Sequence, residues 1–215
     1  MTSATLEEQL RDMVENRAAV LPLKVGQYHR MITTGVVPEG EPFELLNGYV
    51  IRKDRSATGE SPMTVGPEHA WVIRNLTKLD PRLRRLGGHI QIQLPVALPP
   101  WNEPEPDGAI VIGSEDDYRG RHPGAKDVLC AIEVADSSLH RDRTTKLRIC
   151  AASAVPEYLI VNLPDRLVEV HTRPTAGSGR APRYGQVEML KLGQTIDFPT
   201  PGGSRLRVPV RRLLP

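Results

Sequence analysis

The chain has 215 residues, with 28 Lys and Arg against 26 Asp and Glu, a net charge of +2. That near balance excludes a polybasic nucleic-acid arm and an acidic tail, so any phosphate binding must come from local patches. The length allows a core without disulfides, and two cysteines, Cys130 and Cys150, can build neither a disulfide framework nor a zinc ribbon.

Both cysteines lie in apolar surroundings and read as small core residues, which fits a reduced compartment. No run approaches the ~18 apolar residues of a membrane span. The opening MTSATLEEQLRDMVENRAAV is too acidic and polar for a secretory signal, so a cytoplasmic location is the expectation. The sequon Asn75-Leu-Thr77 carries no meaning there.

In chain order, Leu6, Leu10, Met13 and Val14 fall at helical spacing and predict a helix over 3–20. A short helix is expected over Val25–Thr34, ending near Gly35. Phe43–Arg52 reads as two strands folded at Asn47-Gly48, a strong hairpin signal. Residues 56–67 read as loop. Glu68–Leu79 predicts a helix with Trp71, Leu76 and Leu79 inward, stopping before Pro81. His89–Leu98 alternates, with Ile90, Ile92, Leu94, Val96 and Leu98 on one face, and predicts a half-buried strand, with Pro95 arguing for an edge or a bulge. Pro99–Pro106 is a proline-rich loop.

The apolar runs Gly108–Ile112 and Asp127–Val134 predict buried strands. Leu139–Ala154 predicts one helix with the stripe Leu147, Cys150, Ala151 and Ala154. Strands are expected at Glu157–Val161 and Leu167–His171, a flexible loop at Pro174–Pro182, a last strand at Tyr184–Leu190 and a tail at Arg205–Val210. Strand–helix–strand from 127 to 161 implies a right-handed crossover between parallel strands, while the short connections before it imply antiparallel pairing. The expected class is α/β: a mixed central sheet with flanking helices.

If the strands starting at Asp107 and ending at Glu133 pair antiparallel, the start of the first lies beside the end of the second. Period two places Asp107, Ala109 and Val111 on one face, with Leu129, Ala131 and Glu133 on the same face of the partner. The two carboxylates then converge at one corner. At ~4 Å they repel by roughly 4 kcal/mol at an effective dielectric near 20, and a proton, a lysine or a divalent cation must offset that. Hard oxygen donors suit Mg²⁺ or Mn²⁺. Lys146, on the next helix at the border of the apolar stripe, can bring its ammonium to this corner. Glu44, from the Asn47-Gly48 hairpin, is a possible third acid.

The chain resembles the Uma2-type (DUF820) branch of the PD-(D/E)XK restriction-endonuclease-like superfamily over residues 25–198. The matching pieces are Glu44-Leu-Leu-Asn-Gly48, Pro67-Glu-His69, Glu105-Pro-Asp107, Ile132-Glu-Val134, Asp142-Arg-Thr-Thr-Lys146 and Val155-Pro-Glu-Tyr-Leu-Ile-Val161. The resemblance implies a metal-dependent nuclease fold in which Asp107, Glu133 and Glu44 hold the cation and Lys146 assists the attacking water. An E-x-K pattern would place lysine at 135, which is Ala135 here, so the lysine comes from the following helix. The segments 1–24 and 199–215 stand outside the resemblance as an N-terminal helical extension and a C-terminal tail.

Each residue also has a plainer reading. Asp107 between Pro106 and Gly108 suits a turn, and Glu133 suits a salt bridge to Lys146 or Arg143. Asp142 and Lys146, at i and i+4, suit a helix-surface pair, with Asp142 and Arg143 capping or flanking the helix. His69 is a first-turn polar residue or a substrate contact. His89, His122, His140 and His171 lack zinc-hydrolase spacing. Two arginine clusters, Arg82/Arg84/Arg85 and Arg205/Arg207/Arg211/Arg212, are candidate phosphate contacts, as is Arg143. The leading expectation is a Mg²⁺- or Mn²⁺-dependent endonuclease acting on nucleic acid, DNA first. The competing reading is a catalytically inactive nucleic-acid-binding or interaction module, and a third is a small phosphate-ester hydrolase. A homodimer through the N-terminal helix is expected, with no membrane partner.

Overall fold

The computed structural model describes residues 21–38, 40–53, 66–176 and 181–215. The helix expected over 3–20, and with it the dimer surface, lies outside the described residues, as does most of the loop over 56–67. Helix α1 spans Val25–Thr33, its first turn closed by the Gln27 side chain accepting from Lys24 N–H at 2.8 Å. Gly35 takes over at φ 73°, which ends it as expected. Strands β1 (Phe43–Leu46) and β2 (Tyr49–Arg52) form the expected hairpin. Asn47 and Gly48 sit at φ 52° and 83°, the left-handed pair a tight two-residue turn demands.

Six strands make the central sheet: β3 (Gly88–Ile92), β4 (Gly108–Ile112), β5 (Val128–Ala135), β6 (Glu157–Asn162), β7 (Leu167–Thr175) and β8 (Arg183–Leu190). They lie in sequence order; β5 and β6 are parallel and every other pair is antiparallel. The crossover is helical but not one continuous α-helix. It runs through α4 (Leu139–Arg141), a π turn at Asp142–Lys146 and α5 (Leu147–Ala152). Ala154, expected on the apolar stripe, instead takes φ 59° and is exposed just past the helix end.

Each face of the sheet has its own core. Cys130, Ile132, Val134, Leu159 and Val161 face Val72 and Leu76 of α2 (Pro67–Thr77) and Leu83 of α3 (Asp80–Arg84). The same core takes in the hairpin β9 (Thr195–Pro199) and β10 (Arg205–Pro209), with Val210, Leu213 and Leu214 buried beyond it. Ala109, Val111, Ala131, Ala135, Tyr158 and Ile160 face Ile149, Cys150 and Ala151 of α5. Both cysteines are free and buried, as their surroundings imply. No described helix is long and apolar enough to cross a membrane.

Some expectations need correction. The strand over 89–98 stops at Ile92: Gln93 turns to φ 51°, and Leu94 is 52% exposed. Strand β4 begins only at Gly108, opposite Ile92, so the chain beyond has no ladder partner there. The helix expected to reach Leu79 breaks after Thr77, and Pro81 sits in the first turn of α3, where its missing N–H costs nothing. Trp71 packs against the core beneath α2 from a half-buried position, and Val72 beside it is wholly buried. Pro174 belongs to β7, opposite Tyr184, rather than to a loop. Neither β9 nor β10 was foreseen: Arg205–Val210, expected as tail, supplies β10, which pairs antiparallel with β9. A bulge between Ile110 and Val111 shifts the β4–β5 register, which sends Leu129 to the α2 face instead of the Ala131 face.

Candidate active site

The register delivers the acidic corner. Ala109 opposes Ala131 and Gly108 opposes Ile132, so Asp107 enters β4 beside the end of β5, where Glu133 lies. Glu133 shares its face with Ala131 and Ala135, under the crossover helix. Lys146 closes the π turn on that helix and is 4% exposed, with Nζ 3.0 and 3.1 Å from the two Glu133 oxygens. Glu44, wholly buried on β1, places Oε2 3.3 Å from the same Nζ.

The other positions follow from their elements. His69, Val72 and Leu76 share the buried stripe of α2, so His69 faces inward from its first turn, and its Nε2 lies 3.2 Å from Asp107 Oδ1. Asp107 Oδ2 accepts from Val134 N–H at 2.9 Å, and Gln93 Nε2 donates to Oδ1 at 3.4 Å. Glu44 Oε2 also accepts from Glu105 N–H. The structure thus gathers Glu44, His69, Asp107, Glu133 and Lys146.

It does not bring the candidate arginines to this corner. Arg84 pairs with Asp80 and Glu115, and Glu115 follows the end of β4 remote from Asp107. Arg85 follows it at the end of α3. Arg143 lies on the π turn of the crossover but is held by Glu169, with contacts of 2.7, 3.0 and 3.2 Å.

Asp142 is the member that sequence reasoning assigned to a cap or helix flank. It is 2% exposed, accepts from Ser138 Oγ at 2.6 Å, and its charge acts on Lys146 and Glu133. The signal was present: Asp142 lies one turn before Lys146, and a residue four back from an inward-facing lysine shares its face.

Four carboxylates therefore stand against one ammonium and one imidazole, with the Arg141 guanidinium acting on Asp142. Even with His69 protonated and Arg141 counted, full ionisation leaves a net negative charge in this largely buried space. The protonation equilibria reflect this. Burial raises Glu133 well above the usual carboxylate range; Lys146 opposes that, and Asp142, Asp107 and Glu44 add to it. Burial also raises Asp142. Burial works against the Lys146 ammonium, but the acids around it outweigh burial and keep it charged. Asp107 goes the other way. Burial would raise it, yet His69, Lys146 and the Val134 amide hold it at about 2.

Among the described residues, Glu44 Oε1 and Asp142 Oδ1 are buried without a hydrogen-bond partner. Orphaned carboxylate oxygens in an under-compensated pocket call for a proton or a cation. The donors are all oxygen, the chemistry a hard divalent ion takes, while Lys146 stands between them and, among the described residues, no three of the carboxylates bring oxygens within 4.8 Å of one another.

Comparison with known proteins agrees with this architecture. The Uma2 family model, described as "Putative restriction endonuclease", matches residues 25–208. A crystal structure from Anabaena variabilis, titled a putative nuclease belonging to DUF820, superposes with a TM-score of 0.61 at 16% identity. The match covers 89% of this chain and 97% of that one, which shows that the two share a fold. No curated protein matches the chain significantly.

Proposed function

The chain belongs to the Uma2 family, and on that premise we propose that it is a Mg²⁺- or Mn²⁺-dependent nuclease hydrolysing phosphodiester bonds of nucleic acid, DNA first. The observation that carries this reading is the group of four acids around one lysine, Glu44, Glu133 and Asp142 buried and Asp107 17% exposed on its side chain, with two carboxylate oxygens left unpartnered among the described residues. Glu44, Asp107 and Glu133 would hold the cation, with Asp142 beside them. When bound, the ion supplies Lewis acidity toward a phosphoryl oxygen and a lowered pKa for water.

The chain's own groups have separable tasks. Lys146 stays protonated among its acids, so it serves as a hydrogen-bond donor and positive charge rather than as a base. His69 and the Val134 amide fix the orientation of Asp107. A cleft of about 690 Å³, lined by Lys53, Gln93, Glu105 and His122 among others, reaches Asp107 through Gln93 and offers room for a substrate strand. A second cleft unites the two arginine clusters, with Lys78, Arg82, Arg211 and Arg212 on its walls. It lies about 14 Å along α2 from His69, within reach of a bound polynucleotide.

Purified protein is expected to cleave DNA with Mn²⁺ or Mg²⁺, and Asp107→Asn and Lys146→Ala to abolish cleavage while circular dichroism shows a folded chain. Cleavage that survives both changes overturns the reading.

One observation favours the competing reading. Lys146 Nζ touches three oxygens of Glu133 and Glu44, a closed ion-pair cluster that needs no metal for cohesion. Calorimetry without Mg²⁺ or Mn²⁺ uptake, beside metal-free DNA binding with a steep salt dependence, would establish an inactive binding module.

A further inference from the structure

Outside the acidic corner, three side chains from distant parts of the chain meet. His29 comes from α1, Glu103 from the loop before β4, and His122 from the loop before β5. One donor atom from each lies within 4.8 Å of the other two. The His29 and His122 rings stand edge to face, 5.9 Å between centroids.

Glu103 is the unusual member. Its side chain is 3% exposed, and His29 Nε2 lies 2.8 Å from both of its oxygens. No Lys or Arg pairs with it among the described residues. A buried carboxylate needs a nearby positive charge, and an imidazole supplies one only when protonated. A metal ion would supply it at any pH where the imidazoles are neutral.

Backbone hydrogen bonds hold Glu103 and the segment that carries His122 in place. Leu45 N–H donates to Glu103 O at 3.2 Å, and Glu103 N–H to Leu45 O at 2.8 Å. Ala97 N–H donates to Pro123 O at 2.8 Å, anchoring the residue after His122. Four ligands at ~2.0–2.1 Å around a tetrahedral ion stand roughly 3.3 Å from one another, a spacing small ring movements would reach here. His122 is exposed on the wall of the larger cleft, which leaves solvent access for a fourth ligand.

We propose that His29, Glu103 and His122 form a second cation site, selective for a zinc-class ion, which ties α1 and the loop before β5 to the segment beside β1. Two imidazoles and one carboxylate favour Zn²⁺, Co²⁺ or Ni²⁺ over the Mg²⁺ suited to an all-oxygen pocket. Binding needs the His29 Nε2 lone pair, so the proton that atom now shares with Glu103 leaves to solvent or the ring takes the other tautomer. The site shares no ligand with the acidic corner and stands whether or not the chain is a nuclease.

Titration calorimetry with Zn²⁺ and visible spectroscopy with Co²⁺ test it on the full chain. With Mg²⁺ in excess to occupy the acidic corner, wild type and Asp107→Asn are expected to bind one Zn²⁺ alike, to give Co²⁺ ligand-field bands, and to gain thermal stability from Zn²⁺. His122→Ala removes an exposed ring without disturbing the core; it should lose tenfold or more in Zn²⁺ affinity, the Co²⁺ bands and the thermal gain. Equal Zn²⁺ affinity in His122→Ala and wild type, loss of Zn²⁺ binding in Asp107→Asn, or no uptake by wild type overturns the proposal.

Discussion

Lys146 follows Glu133 by 13 residues, yet its Nζ sits 3.0 Å from one oxygen of that carboxylate and 3.1 Å from the other. The path between them is the crossover from β5, which returns the chain over the face where Glu133 points. The contact is buried on both sides. Replacing Lys146 with Met keeps the packing but strands Glu133 and Glu44 without a counter-charge. The expected cost is about 3–5 kcal/mol at neutral pH. It should shrink at lower pH as the stranded acids take up protons, and Lys146→Met/Glu133→Gln should recover part of it. Urea denaturation at pH 7 and pH 5 measures this, and a Lys146→Met variant as stable as wild type at pH 7 would show that the pair contributes nothing.

Asp107 gives the acid limb of stability. Its folded pKa of about 2 lies below the ordinary 3.8, so the fold favours the ionised form. That stabilisation is complete above about pH 4 and is lost as pH falls through about 2, a swing of roughly 2 kcal/mol. His69 opposes the effect of burial most strongly, followed by Lys146 and the Val134 amide. His69→Gln should move Asp107 up toward 3.8 and narrow the swing. Carboxyl carbon NMR through pH 2–6 reads it directly, and an unmoved Asp107 titration would mean that the 3.2 Å contact carries no charge.

The acidic corner was legible because strand pairing converts sequence spacing into proximity. Two short apolar runs with an acid at the start of one and near the end of the other suffice for Asp107 and Glu133. The bulge at Ile110/Val111 was not legible, because one extra residue changes pairing without changing composition, and it moved Leu129 to the other face. Alternation after Ile92 misled for a related reason. Val96 and Leu98 are buried from a loop whose hydrogen bonds go to Pro104 and Asn102, so apolar periodicity survives where no ladder exists. Asp142 was hidden by the ambiguity of an i,i+4 acid–lysine pair, which reads the same on a solvated face as on a buried one. The His29, Glu103 and His122 group has no local spacing at all; only the fold assembles it.

The hairpin turn offers a remote control of Glu44. Gly48 sits at φ 83°, and a Cβ there would lie 2.9 Å from Pro22 Cα and closer still to Pro22 Cβ. Leu23 N–H donates to Gly48 O at 2.9 Å, so the segment before α1 cannot simply retreat. Gly48→Ala is expected to cost about 1–3 kcal/mol, from backbone strain and crowding together. Cleavage should fall further than stability explains, since β1 carries Glu44. Urea denaturation beside cleavage assays under fully folding conditions tests this. Unchanged cleavage in a folded variant would uncouple the turn from the site.

Arg143 separates a structural role from a substrate contact. Burial would raise Glu169, but His171, Arg143 and Asn162 hold it at about 2, against an ordinary 4.5. The ionised form is therefore the stabilised one, fully so above about pH 4.5, and the benefit disappears as pH falls through about 2. Arg143 is 39% exposed on its side chain, so solvent weakens its share of that pairing. Arg143→Ala is expected to destabilise by about 1–2 kcal/mol at pH 7, with the difference from wild type closing toward pH 2. Binding of a short DNA duplex, measured by fluorescence anisotropy on the folded variant, should stay the same, because the guanidinium is already occupied by Glu169. Weakened DNA binding with unchanged stability would reverse the assignment and place Arg143 on the substrate.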